Sequence, residues 1–241
     1  MTQRRVKELI VRPATGAAAL EAMEVRAERF AAYFTEPPFS FVESPAYWLR
    51  YLMDLYGRTE EEVAARSAMF FDVLDPDQGE SMVGFSGCVR HVDAAIIDNT
   101  QIGHWGMKPG DGYNIVTCLA KAAQHTEDGQ GRTIYRRLMD ARHHHMVPSN
   151  EGQIVAPDRR LWVRTAKGYA PVTRTFEHAG YSEVPLVDPA WAPHKDLGGN
   201  DWDCVIWAVR PDDVRAFYQS DSQPHVPVRT SSAADGVEHR A

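Results

Sequence analysis

The chain has 241 residues, of which 44% are apolar and 24% charged, and a formal net charge of −7. That length holds one sizeable α/β domain with additions, or two small ones, while the acidic balance argues against nucleic acid, which wants a basic face, and no apolar run is long enough to span a bilayer. The first residues lack an apolar signal segment, and the three cysteines, Cys88, Cys118 and Cys204, are too widely spaced for a disulfide framework; both read as a cytoplasmic protein with reduced core thiols.

Alternation of Leu9 and Val11 predicts a short strand over 8–11. Leu20, Met23, Val25, Ala27 and Phe30 give residues 17–33 an imperfect apolar helical face, stopped by Thr35-Glu36-Pro37-Pro38. Ser44 reads as the cap of a second helix carrying Tyr47, Trp48, Tyr51, Leu52 and Leu55. Thr59-Glu60-Glu61-Glu62 opens a third. Residues 69–74 and 81–92 form an antiparallel strand pair joined at 75–79. Residues 94–112 read as a long loop, a length that usually marks function or mobility. A strand over 115–120 leads into the polar loop 124–129. Ile134, Leu138 and Ala141 then share one face of a helix. A strand over 161–165 precedes a second late helix, which ends at Gly180 as its C-cap. Residues 181–184 and 202–209 make a final strand pair, separated by an irregular link at 187–200. Residues 1–219 are read as one domain, and the polar stretch 220–241 as a disordered tail.

The stretch Gln130-Gly131-Arg132-Thr133-Ile134-Tyr135-Arg136 joins the apolar strand to a helix. Strand, glycine-bearing loop and helix together aim several backbone N–H groups at one point, where the unpaired amides and the helix dipole both favour a phosphate. An ordinary loop and helix start stays open on these residues alone.

A second segment, Phe176-Glu177-His178-Ala179-Gly180-Tyr181, sits about forty residues further on. With it the chain resembles the GCN5-related N-acetyltransferases (GNAT), over roughly residues 80–210. The family's pyrophosphate loop has the form Arg/Gln-x-x-Gly-x-Gly/Ala, followed by a helix with paired apolar residues. Here it is Gln130-x-x-Thr133-x-Tyr135, then Leu138-Met139, with both family glycines replaced. The family's later Tyr-Glu-Lys-x-Gly-Phe is matched by the segment that starts at Phe176.

The resemblance implies an α/β GNAT fold: a mixed central sheet, N-terminal helices on one side, and a splayed parallel strand pair holding acyl-CoA. It implies acetyl-CoA or another acyl-CoA as co-substrate, no metal, and a small amine or amino-acid-like acceptor. The pantetheine arm would run along Leu119, Ala120, Lys121, Ala122 and Ala123, opposite 161–165. The pyrophosphate would sit on Gln130, Gly131, Arg132, Thr133, Ile134, Tyr135 and Arg136. Phe39 and Phe41 fall in the loop between the first helices, where family members bind acceptors; packing of those helices on the sheet is the other reading.

Phe176 stands where the family often has a tyrosine that acts as general acid, and phenyl has no proton to give. His104 in the long loop is a candidate base, or else a surface histidine beside Trp105. Tyr169 is a candidate replacement acid, or else a packed aromatic. Cys118 reads as an inert buried thiol. His143, His144 and His145 point about 100° apart on a helix, so they cannot face one ion without unwinding and read as a solvated helix end; a metal site with His125, nearby in sequence, is the other reading. An acyl carrier protein as donor, thioester decarboxylation and a non-enzymatic CoA-ester module remain open, as does a homodimer.

Overall fold

A computed structural model describes residues 5–35, 41–147, 158–166, 175–201 and 204–221. The chain starts with β1, Arg5–Val6, and β2, Ile10–Ala14. The expected first helix is two: α1, Gly16–Glu21, and α2, Met23–Phe34. Ala22 leaves the helical region at φ −96°, ψ 12°. The buried Arg26 explains why the break is tolerated. Its Nη1 donates to the carbonyl of Ala19, an acceptor near the end of α1. The same guanidinium forks onto the Asp72 carboxylate at 2.8 and 2.7 Å and lies over the Phe70 ring.

Ser44 caps α3, Pro45–Tyr56, accepting from Tyr47 N at 3.1 Å. Thr59 caps α4, Glu60–Ala65, whose acidic first turn suits the helix dipole. The hairpin β3, Ala68–Asp75, and β4, Ser81–Val89, follows as expected. The stretch read as a long loop is ordered. It holds α5, Ala94–Thr100, capped by Asp93, and the 3₁₀ turn Ile102–Trp105. Next come β5, Gly112–Leu119, α6, Lys121–Gln124, β6, Thr126–Glu127, and α7, Ile134–Met146. Then follow β7, Leu161–Ala166, a helical turn at 175–178, β8, Ser182–Glu183, and β9, Cys204–Val209. Gly180 has φ +85° at the predicted cap. The helix Pro211–Asp221, absent from the sequence reading, closes the described chain.

Seven strands form one sheet in the order β2-β3-β4-β5-β7-β9-β8; β1 and β6 pair separately, in parallel. Within the seven, β5 and β7 are parallel and every other neighbouring pair is antiparallel. One face carries α1 to α5 over Phe70, Phe85, Tyr113, Trp162 and Ile206. The other carries α7, Phe176, Tyr181 and Val214 over Phe71, Val73, Leu161, Val163 and Trp207. No helix among the described residues is long and apolar enough to cross a membrane.

The sheet opens at one place. β5 and β7 pair only through Gly112–Leu161, Tyr113–Trp162 and Asn114–Val163. Beyond Asn114 the ladder stops, although β5 runs on to Leu119 and β7 to Ala166. The cause lies on the far edge of β5. Ile115 to Cys118 spans three steps there, against two from Gly87 to Phe85 on β4, so β5 holds one extra residue. Such a bulge bends its strand and increases its twist. The side-chain phase slips with it. Tyr113 faces α3 and Asn114 faces α7, yet past the bulge Cys118 faces the first side and Leu119 the second. Gly84, opposite Leu119, lets the strands close again on the β4 side, because a Cβ there would lie 2.4 Å from Cys118 O.

Candidate functional site

The site is built around this opening. β5 ends at Leu119, so Lys121, Ala122 and Ala123 do not extend a strand edge as expected; they form the short helix α6, whose Lys-Ala-Ala-Gln sequence favours helix. The edge left free of β7 is instead the backbone from Ile115 to Leu119. Leu119 and Ala123 are buried against α7, and Ala120 donates its N–H to Val83 O.

The glycine-bearing loop leads into α7 as read from the sequence. Thr133 is the N-cap, its Oγ1 accepting from Arg136 N at 3.2 Å, and the 13-residue helix brings its dipole to that end. Gly131 sits at φ +73°, a conformation that disfavours side chains, with open space where a Cβ would be. The sequence reading missed what shapes the loop. The buried Asp128 carboxylate accepts from Gln130 N, Arg132 N and Arg132 Nε, each at 2.9 Å, with Arg137 Nε at 4.0 Å. Bonds from the Arg132 backbone first, then the other partners, hold its carboxyl below the usual range. An aspartate two to four residues ahead of such amides was the available signal. The amides of Gln130 and Arg132 are thereby committed. The remaining donors at this end belong to the first turn of α7. Arg136, expected to assist by charge, is turned along its helix: Nε bonds Asp140 at 2.7 Å and the guanidinium lies 4.8 Å from the Phe217 ring centroid. Arg132 has a half-exposed side chain.

On the α3 side of the opening, the hydroxyls of Tyr113 and Tyr51 hydrogen-bond, and burial raises the pKa of both. Arg164, the first β7 residue past the splay, is buried and donates to Thr100 O. Phe41 is a core residue, 2% exposed, in edge contact with Trp48. Phe39 lies outside the described residues, as does Tyr169. Two long-range contacts tie the loop after α2 to the link before β9. Asp196 accepts from Val42 N at 2.6 Å, which with its other donors lowers its pKa to about 2. His194 bonds the buried Glu43 at 3.0 Å and stacks on Tyr47. His104 bonds Asp188 at 2.8 Å on the 3₁₀ turn, at the same link; its backbone carbonyl accepts from Val187 and Asp188. Trp105 beside it packs on Trp191.

On the α7 side, Phe176 is buried with its ring 5.0 Å from Tyr181. The reading of the three histidines as a solvated helix end is corrected. His143 is 2% exposed and bonded at both nitrogens to tyrosine hydroxyls, and His145 bonds Ser67 O. Only His144 is exposed. A helix packed along its length on the sheet buries one face to its last turn, which outweighs the polarity of the residue type. Among the described residues no group of three or more His, Cys, Asp or Glu is placed to hold a metal. Cys118 is buried, its thiol pKa pushed well up by desolvation; Cys88 is pushed up to about 12 for the same reason.

No family model and no curated protein sequence matches the chain. Solved structures do. An acetyltransferase of the GNAT family from Staphylococcus aureus Mu50 superposes with a TM-score of 0.51 at 11% identity, over 85% of this chain and 99% of that one. An acetyltransferase from Streptococcus agalactiae gives 0.47 at 12% identity, over 84% and 98%. A spermidine/spermine N-acetyltransferase from Vibrio cholerae gives 0.45 at 12% identity, over 86% and 96%. The fold of this chain is therefore the GNAT fold, in a divergent sequence.

Proposed function

We propose that this protein is an acyl-CoA-dependent N-acyltransferase acting on a small amine or amino-acid-like acceptor. The observation that carries the reading is the opening of β5 from β7 beyond Asn114, bulged on one side and flanked by the N-terminus of α7. A free strand edge suits an extended arm with amide groups, which can add to it as a further strand. The first turn of α7 suits the pyrophosphate. A backbone N–H on the same edge would stabilise the oxyanion as the acceptor nitrogen attacks the thioester carbonyl. Holding the two reactants together supplies much of the rate. The acceptor would enter from the α3 side, between Tyr47, Tyr51 and the loop that carries Phe39 and Phe41. His104 is kept as a candidate base, its imidazole oriented by Asp188, and Tyr169 as a candidate acid.

A second reading is favoured by one observation. Phe176 is a packed phenyl, with no proton for a leaving thiolate. A carrier-protein acyl donor, thioester decarboxylation, or a module that binds CoA esters without transfer would each be less hindered by that replacement. The test is a transfer assay with acetyl-CoA and a panel of amines, run beside calorimetry with CoA. Binding with transfer supports the first reading. Binding without transfer to any amine supports the second, and no binding overturns both as far as CoA is concerned. Tyr169→Phe should lower turnover by about ten- to a thousandfold while leaving CoA affinity similar; intact turnover removes Tyr169 from the chemistry.

A further inference from the structure

Behind the opening, on the α7 side, a line of side chains runs from the vertex of the splay to the surface. Asn114 Nδ2 lies 3.2 Å from Tyr181 Oη, which lies 2.8 Å from His143 Nε2. His143 Nδ1 lies 3.1 Å from Tyr218 Oη, which lies 2.8 Å from Asp140 Oδ1. Asp140 also accepts from Arg136 Nε at 2.7 Å.

The direction of every bond in this chain follows from its outer end. A carboxylate only accepts, so the Tyr218 hydroxyl proton points at Asp140. The Tyr218 oxygen then faces His143 Nδ1 as an acceptor, so Nδ1 carries a proton. Burial, with smaller contributions from Arg142, His144 and Arg136, lowers the His143 pKa to about 3, which keeps the ring neutral. Nε2 is therefore a bare acceptor, and the Tyr181 hydroxyl must donate to it. The Tyr181 oxygen accepts in turn from the Asn114 amide nitrogen. An asparagine amide is ordinarily ambiguous between its two orientations; here the chain settles it, with nitrogen toward Tyr181.

That orientation leaves Asn114 Oδ1 over. Asn114 is 1% exposed, and no donor among the described residues hydrogen-bonds this oxygen. A buried acceptor without a donor costs about 1–3 kcal/mol. Such groups are rare enough to need an explanation. Asn114 is also the last β5 residue paired with β7, so the residue that carries the unmatched oxygen stands at the vertex of the opening.

We infer that Asn114 reads the acyl donor: its Oδ1 accepts an amide N–H of the pantetheine arm, and the chain Tyr181–His143–Tyr218–Asp140 holds the amide in the orientation that presents this oxygen. The inference rests on the acyl-thioester reading given above. Asn114 is the binding residue, and the four behind it are positioning residues. Coenzyme A and a phosphopantetheinylated carrier both offer the required amide.

Two measurements on the full chain test it. In calorimetry with acetyl-CoA, Asn114→Leu, close in volume and without polar atoms, should bind roughly five- to tenfold more weakly, the range for one lost hydrogen bond. Nitrogen-15 NMR of the unsubstituted, histidine-labelled protein should show His143 protonated at Nδ1 and bare at Nε2. Tyr218→Phe removes the acceptor of the Nδ1 proton; the tautomer should then switch to Nε2–H and acetyl-CoA affinity should fall with it, although Tyr218 is separated from Asn114 by the His143 and Tyr181 side chains. Equal affinity of Asn114→Leu and the unsubstituted protein overturns the inference and leaves the acyltransferase reading standing. An Nε2–H tautomer in the unsubstituted protein overturns the positioning chain even if Asn114→Leu fails to fold. If the unsubstituted protein binds no acetyl-CoA at all, the acyl-donor reading itself has failed.

Discussion

Replacing Thr133 by aspartate tests where the pyrophosphate sits while disturbing the fold least. Thr133 caps α7 by accepting from Arg136 N. Aspartate caps at least as well as threonine, and a negative charge at a helix N-terminus is itself stabilising by about 0.3–1 kcal/mol. The melting temperature should therefore hold or rise slightly. A diphosphate bound to the first-turn amides of α7 would lie roughly 6 Å from the new carboxylate. At an effective dielectric constant of about 20, two unit charges at that distance repel by about 3 kcal/mol. Counter-ions at physiological salt, with a Debye length of about 8 Å, cut this roughly in half. About 1.4 kcal/mol corresponds to a factor of ten in the dissociation constant, so CoA affinity should fall by about tenfold or more. The loss should shrink at high salt. Calorimetry with CoA at low and high ionic strength, with Thr133→Ser as the neutral control, reads both effects. A folded Thr133→Asp variant that binds CoA as tightly as the control would refute the placement of the pyrophosphate on this helix.

Asp128→Asn keeps an oxygen for the amides of Gln130 and Arg132 but loses the charge that holds Arg132; CoA affinity should drop several-fold by calorimetry, with a small fall in melting temperature. Arg26→Leu strands the Asp72 carboxylate in the core, and denaturant unfolding should report a loss of about 3–5 kcal/mol, much of it recovered when Asp72 is also replaced by leucine. His143 has a folded pKa of about 3, below the ordinary 6.5. The unfolded chain thus takes up a proton that the folded chain refuses. Stability should fall as pH drops from about 6.5 toward 3, by up to about 1.4 kcal/mol per pH unit from this group, and His143→Gln should flatten that slope in melts between about pH 6.5 and 4.5. Removing residues 222–241, polar and without a periodic apolar face, should leave the melting temperature within a few degrees; a collapse would show that the segment docks.

Much of the fold was legible where a local rule governs. Ser44 and Thr59 announce their helices because a side-chain cap needs only its own neighbours, and Gly180 announces a helix end for the same reason. The order of elements was legible through the family resemblance. What escaped depends on partners distant in sequence. The break at Ala22 is covered by Arg26, itself held by Asp72 from another strand. The helix at 94–100 was hidden in a stretch judged by its turn residues, and the final helix lies in a stretch to which no element was assigned, running two residues into the segment read as a tail. His143 looked solvated because its tyrosine partners lie 38 and 75 residues away. The loop of the candidate site was legible as a glycine-bearing stretch ahead of a helix. The residue that shapes it, Asp128, was not legible from residue type alone, because its role depends on a turn that folds its carboxylate back onto the amides of Gln130 and Arg132.

The extra residue in β5 gives the opening an unusual kind of permanence. A pocket made by small side chains can be filled by a single larger substitution. A gap made by a count of residues cannot, since no substitution changes how many steps separate Ile115 from Cys118. Only a deletion between Ile115 and Cys118 would bring the strand back into step with its neighbour, and it would restore the plain alternation while leaving Cys118 on the face it already shares with Tyr113. The architecture is in that sense stored in the spacing of the chain rather than in its letters. Thr133, Tyr135 and Phe176, where the GNAT motifs have other residues, are compatible with such storage, and so is a shared fold at 11% identity.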